Sequence, residues 1–159
     1  MKSLVIYDSQ FGNTERVAQS IVAALSSQGE VDVIRVQDVQ PEHLTGIDYL
    51  IVGSPTQRFR PTIGTTSFLK SIPKDGLEGI KVAAFDTRLT REEIEKVSIL
   101  AFFVRIFGYA AKPISDQLNK KGGELILPPE GFFVDGMEGP LLEGELERAA
   151  EWAKQIIST

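Results

Sequence analysis

At 159 residues, with 42% hydrophobic and 25% charged residues, the chain has the composition of an ordinary globular protein and the length to bury a core without staples. It contains no cysteine and a single histidine, His43, which excludes a disulfide framework, an iron–sulfur cluster, a thiolate metal site, a thiol nucleophile and a histidine-rich metal centre. A net charge of −5 makes it a poor candidate for nucleic-acid binding.

The elements alternate along the chain. Residues 3–7, Ser-Leu-Val-Ile-Tyr, form a compact β-prone run. After a polar turn over 8–13, Val17, Ile21, Ala24 and Leu25 recur at helical spacing up to Gly29, a helix stop. Residues 31–36 alternate in part, as an edge strand does. Residues 49–53 are apolar throughout, the pattern of a strand covered on both faces. A loop with two prolines, residues 54–61, leads to a short helix over 65–71, and a fourth strand follows at 81–86.

Thr90 and Glu93 then fit a capping box, and Ile94, Val97, Leu100, Ala101, Val104 and Phe107 continue at helical spacing. Gly108 ends that segment, and a second helix starts near Pro113 and stops at Gly122. A fifth strand spans 124–127, with 132–134 as its continuation or a loop. Leu142, Leu146, Ala149, Ala153 and Ile156 mark a last amphipathic helix. No repeat or linker interrupts the pattern, so one domain over residues 1–159 is expected. The N-terminus lacks a signal-peptide pattern, and the longest apolar stretch, 99–109, is broken by Arg105 and falls short of the ~20 residues of a membrane span. A cytoplasmic location is the expectation.

Strands separated by helices pair in parallel through right-handed crossovers. Five of them in this length suit a doubly wound α/β sheet in the order 2-1-3-4-5, with an inserted helix after strand four. Ligands of such sheets lie beyond the carboxyl ends of the strands, where the winding reverses. The loops after strands one, three and four are therefore the ones to read for chemistry.

The first loop is Asp8-Ser9-Gln10-Phe11-Gly12-Asn13-Thr14. Small and polar residues at a helix start expose backbone N–H groups to an anion, and the hydroxyls of Ser9 and Thr14 can add two donors. An ordinary turn capped by Asn13 is the other reading. There is no G-x-x-x-x-G-K-S/T and no G-x-G-x-x-G after the first strand, which removes the common nucleotide loops. Gly53-Ser54 ends strand three where a receiver domain would carry its acidic phosphate acceptor. The second loop runs from Gly53 through Ser54, Pro55, Thr56, Gln57, Arg58, Phe59 and Arg60 to Thr62. Taken singly, Phe59 is read as a core plug and the two arginines as surface. The third loop, Phe85-Asp86-Thr87-Arg88-Leu89, carries an Asp that by itself is a turn residue or cap.

Together the three loops resemble the flavodoxin-like family of FMN-binding proteins. The pattern Ser/Thr-x-x-Gly-x-Thr stands here as Ser9-Gln10-Phe11-Gly12-Asn13-Thr14 after a strand ending in Tyr7, Gly53-Ser54-Pro55-Thr56 is similar to the family's second stretch, and the likeness covers essentially the whole chain. The resemblance implies that Ser9, Gln10, Phe11, Gly12, Asn13 and Thr14 bind the FMN phosphate. It implies that Ser54, Pro55 and Thr56 line the ribityl chain, that Gln57, Arg58 and Phe59 border one flavin face, and that Asp86, Thr87 and Arg88 border the other edge. Arg58, Arg60 and Arg88 would then set positive charge near the ring and raise the potential of its final reduction step.

Two departures from that family stand out. Flavodoxins commonly sandwich the flavin between Trp and Tyr, whereas the single Trp here, Trp152, falls on or beside the stripe of the last helix and reads as packing. The tyrosine nearest the third loop is Tyr109, beyond the inserted helix. The flavin is thus expected to stack on Phe59 and to be more open opposite. The second departure is the segment 91–109 with Phe102, Phe103, Phe107 and Tyr109, which is either extra core or a lid, a homodimer face or a docking surface. The implied function is electron transfer through FMN to a redox partner protein or a small apolar acceptor. The alternatives are a flavodoxin-like oxidoreductase acting on a quinone, and a binding module that has lost FMN.

Overall fold

Val5 and Ile51 sit side by side at the centre of a parallel sheet because β1 (Lys2–Tyr7) and β3 (Tyr49–Pro55) are the most uniformly apolar runs of the chain. The computed structural model describes residues 1–57, 59–90 and 108–159. β2 (Glu30–Arg35) pairs with the outer side of β1 and keeps an exposed, partly alternating pattern, as an edge strand does. β4 (Lys81–Leu89) lies beyond β3, so the sheet runs β2-β1-β3-β4-β5, the expected order.

The fifth lane is cut in two. β5 (Glu124–Leu125) pairs with Lys81 and Val82 at the start of β4, and β6 (Glu130–Val134) pairs with residues 85–89 at its end. Pro128 and Pro129 lie in the gap. They offer no N–H to the ladder, so pairing lapses there and resumes at Glu130. The continuation expected at 132–134 is therefore a strand of its own, and the expected strand at 124–127 shortens to its first two residues.

Helices α1 (Asn13–Leu25), α2 (Ile63–Ser71), α3 (Ala111–Lys120) and α4 (Glu145–Ser158) cover the two faces. Alternate residues of β1 divide between them. Val5 and Tyr7 join α1, α4, Phe85, Phe132 and Trp152 on one side, and Leu4 and Ile6 join α2, α3, Leu50 and Val52 on the other. Trp152 is buried as packing, its ring edge-on to Phe85 and Phe132 at 6.0 Å from each. α2 begins two residues before the expected start because Thr62 caps it, accepting the Thr65 N–H at 3.2 Å. Ile63 in its first turn is exposed, so the apolar pattern gave no sign of that turn. The expected helix over 91–107 lies outside the described residues.

Gly53 allows the sheet to carry Phe85 at its functional end. A Cβ at that glycine would stand 2.0 Å from the Phe85 ring. Only a residue with no side chain lets the ring lie against β3 where the second loop leaves it.

Candidate functional site

The loops after β1, β3 and β4 meet at one end of the sheet. In the first, Gly12 takes φ +90° and turns the chain into α1 as its N-cap, a conformation that favours glycine. Ser9 Oγ accepts the Gly12 N–H at 3.1 Å and the Glu15 N–H at 3.4 Å. The Asp8 N–H donates to the Gly53 carbonyl at 3.0 Å. Its carboxylate accepts the Ser9 N–H at 2.9 Å and the Thr62 hydroxyl at 2.5 Å.

Four backbone N–H groups of this segment, those of Gln10, Phe11, Asn13 and Thr14, donate to no described group. They gather at the positive end of the α1 dipole, where orphan donors attract an anion. Asn13 does not cap the helix. Its side-chain amide donates to the Glu138 carbonyl at 3.0 Å and fastens the loop to the turn before α4. Thr14 is buried, and its hydroxyl lies 2.8 Å from that of Thr87. Phe11 turns outward instead, over an open groove of about 690 Å³ along α1 with Glu15, Arg16, Gln19, Ser20 and Leu146.

The second loop is braced from inside. Ser54 is buried; its hydroxyl accepts the Thr62 N–H at 3.0 Å and donates to the Pro55 carbonyl at 3.0 Å. It ties the two ends of the loop together behind Pro55. The Thr56 N–H donates to the Thr87 carbonyl at 3.0 Å, and Thr56 Oγ1 accepts the Ala110 N–H at 3.2 Å, so the Thr56 hydroxyl keeps its proton for donation. Gln57 and Arg60 exchange backbone hydrogen bonds of 2.8 and 2.9 Å around a tight turn. Phe59 in that turn holds φ +68°, a left-handed conformation rare for a bulky side chain. The Gln57 side chain donates to Gln10 Oε1, which bridges loops two and one. Arg58 lies outside the described residues.

The third loop corrects the reading of Asp86 as a turn residue. Asp86 is fully buried and accepts both Arg88 Nε (2.6 Å) and Arg88 Nη2 (2.7 Å), with the Ala111 N–H as a third donor at 2.8 Å. Burial pushes its carboxyl up, against the downward pull of Arg88 and of the Ala111 N–H. Arg88 in turn lies 3.8 Å from the centroid of the Tyr109 ring, and Gly131 passes so near that a Cβ there would stand 2.1 Å from Arg88 Nε. Asp86 thus pairs with the charge that the sequence reading set near the ring at Arg88.

The structure thus brings Ser9, Gln10, Thr14, Thr56, Gln57 and Thr87 to one end of the sheet and ties their loops together. Four further residues serve this arrangement and were not read from the sequence: Arg35, Thr62, Ala110 and Ala111. Backbone donors such as Ala110 and Ala111 leave no side-chain signal. Thr62 could have been found as a cap, standing just before the α2 run.

The family model described as Flavodoxin matches residues 5–152, nearly the whole of the chain. The chain belongs to the flavodoxin family. A flavodoxin of Picosynechococcus is 40% identical over 52 residues, a stretch spanning 33% of this chain and 31% of that protein. Flavodoxin 1 of Bacillus cereus is 18% identical, with a TM-score of 0.77 covering 99% of this chain and 98% of the other. Flavodoxin 2 of the same organism is 23% identical, with a TM-score of 0.75 covering 99% of each. At such identities the structures attest the shared fold. Flavodoxins bind FMN and transfer electrons to redox partners. Among the described residues no helix of this flavodoxin is long and apolar enough to cross a membrane, and no acidic or histidine cluster could hold a metal ion.

Proposed function

We propose that this flavodoxin holds FMN across the three loops and passes electrons between redox partners in the cytoplasm. One observation carries this reading: the N–H groups of Gln10, Phe11, Asn13 and Thr14, in the loop and first turn at the α1 N-terminus, have no described acceptor. A phosphate fits this donor set without any cationic side chain. Ser9 adds its hydroxyl, whose oxygen already gathers the Gly12 and Glu15 N–H groups and whose proton is left to donate. The Thr14–Thr87 pair shares one bond between two hydroxyls, so one proton of the pair is also left.

Pro55 and Thr56 would line the ribityl chain, with Thr56 as donor and Ser54 acting from behind as a brace. Gln57, Arg58 and Phe59 would border one face of the ring, and Thr87 and Arg88 the opposite edge, with the buried Asp86 acting through its hold on Arg88. The bound flavin supplies the redox chemistry, and the protein supplies binding, orientation and exclusion of water.

Titration of the protein with FMN and with riboflavin, followed by absorbance and calorimetry, tests this reading. The wild type is expected to hold FMN at least tenfold more tightly than riboflavin. A charge-assisted hydrogen bond is worth ~1.5–3 kcal/mol, so Ser9→Ala should weaken FMN about tenfold or more and riboflavin little. Equal losses for the two ligands would show that the first loop is not the phosphate site.

A further inference from the structure

Arg35 ends β2, yet its side chain serves the loop after β1. Its Nη1 donates to the Ser9 carbonyl oxygen at 3.0 Å and lies 3.8 Å from Asp8 Oδ1, while Nη2 lies 3.6 Å from Glu15 Oε2. The guanidinium also stands 5.4 Å from the centroid of the Tyr7 ring, and the Tyr7 hydroxyl donates to Glu15 Oε1 at 3.1 Å. Three residues of the first loop and helix start, Asp8, Ser9 and Glu15, thus converge on one cation from the neighbouring strand.

The bond to Ser9 has a geometric consequence. The peptide joining Ser9 to Gln10 is planar and trans, so its carbonyl and its N–H point in opposite directions. With the carbonyl held on the Arg35 side, the Gln10 N–H is turned to the other side. That N–H is one of the four with no described acceptor. Neither Asp8 nor Glu15 can do this work, since a carboxylate cannot donate to a carbonyl oxygen. A guanidinium can bond the carbonyl with one arm and reach a carboxylate with the other.

We propose that Arg35 is a positioning residue for the FMN phosphate, acting through the Ser9–Gln10 peptide. The inference rests on the proposed placement of the phosphate at the first loop. It adds a residue 26 positions from Ser9, on a different strand, to the machinery that shapes the loop.

Arg35→Met keeps much of the apolar stem and removes every donor. Its expected effect is a loss of FMN affinity of about tenfold, the scale of one hydrogen bond to a charged group, with riboflavin affinity changed less than about twofold. Amide NMR of the wild type should show the Gln10 N–H moving downfield with FMN and not with riboflavin. In Arg35→Met the FMN-dependent movement should shrink markedly. Arg35→Leu, which also lacks any donor, serves as a second variant should the first fold poorly, with the same expectations.

A variant that weakens FMN and riboflavin equally overturns the proposal, since Arg35 is then a support of the fold alone. So does a variant that weakens FMN but leaves the Gln10 movement intact, since the charge of Arg35 then acts without the peptide. A wild type that binds riboflavin as tightly as FMN removes the phosphate placement itself, and this proposal with it.

Discussion

Thr14 and Thr87 share a hydrogen bond of 2.8 Å in the buried floor of the site, joining the first turn of α1 to the end of β4. Both residues are buried, Thr14 at 1% and Thr87 at 5% exposure. Thr14→Val should therefore strand the Thr87 hydroxyl and destabilise the protein by ~1–3 kcal/mol, the usual cost of an unpaired buried polar group. The double variant Thr14→Val with Thr87→Val should lose less than the sum of the two single changes. Urea denaturation of all four proteins measures the coupling, and strict additivity would contradict it.

Arg88→Met should remove the partner of a fully buried carboxylate. Breaking such a pair costs ~3–5 kcal/mol, and partial exposure of Arg88 places the expected loss near the lower end. Asp86 already has its carboxyl pushed up by burial, and without Arg88 it should rise further. A carboxyl raised in the folded state favours folding below its unfolded value of ~3.9, and that advantage is lost as pH climbs through the folded value. The variant should thus fall further behind the wild type at neutral pH than near pH 4, as read from melting temperatures at both.

Glu145 titrates in the opposite sense. Burial pulls its carboxyl up, but Arg148 at 2.7 Å and the Phe133 N–H at 2.7 Å outweigh burial and hold it below the ordinary range. A depressed carboxyl stabilises the fold above its unfolded value of ~4.3 and ceases to do so as pH falls through the folded value. Stability of the wild type should drop across that window. Glu145→Gln, already neutral, should show a flatter profile there by thermal denaturation.

Phe59 offers a contrast with Ser9. At φ +68° its backbone is strained, and left-handed geometry costs a non-glycine residue ~1–2 kcal/mol. Phe59→Gly should relieve that strain but give up the packing of the half-buried ring and free the unfolded chain, so the melting temperature of the protein without ligand should fall modestly. If the ring borders the flavin, loss of stacking worth ~0.5–1.5 kcal/mol should weaken FMN and riboflavin alike, by about two- to twelvefold. A change confined to FMN would place Phe59 at the phosphate instead.

Much of the sheet can be read from the chain because its central strands are covered on both faces. The runs at β1, β3 and β4 are apolar for that reason, and their loops fall at the same end by topology. The split of the last lane was harder to see, since Leu127 and Phe132 look alike in a sequence and only the missing N–H groups of Pro128 and Pro129 separate them. Within the site, Ser9 and Thr56 stand out as hydroxyls on loops. Asp86 does not announce its burial, because its partners are Arg88 two residues on and a backbone N–H at Ala111. Arg35 is quieter still. A cation at the end of an edge strand has the pattern of a solvated surface residue, and only the adjacency of β2 and β1 reveals what it grips.

The three loops are bonded to one another at Asp8 and Thr62, Thr14 and Thr87, Gln10 and Gln57, and Thr56 and Thr87. Their conformational entropy is therefore spent in folding and need not be spent again when a ligand arrives. Such preorganisation favours a small, fast structural response on association and slow release. It also makes the cradle a collective object: a change in one loop alters the shape the other two present, and affinity losses from paired substitutions across loops will depart from simple sums.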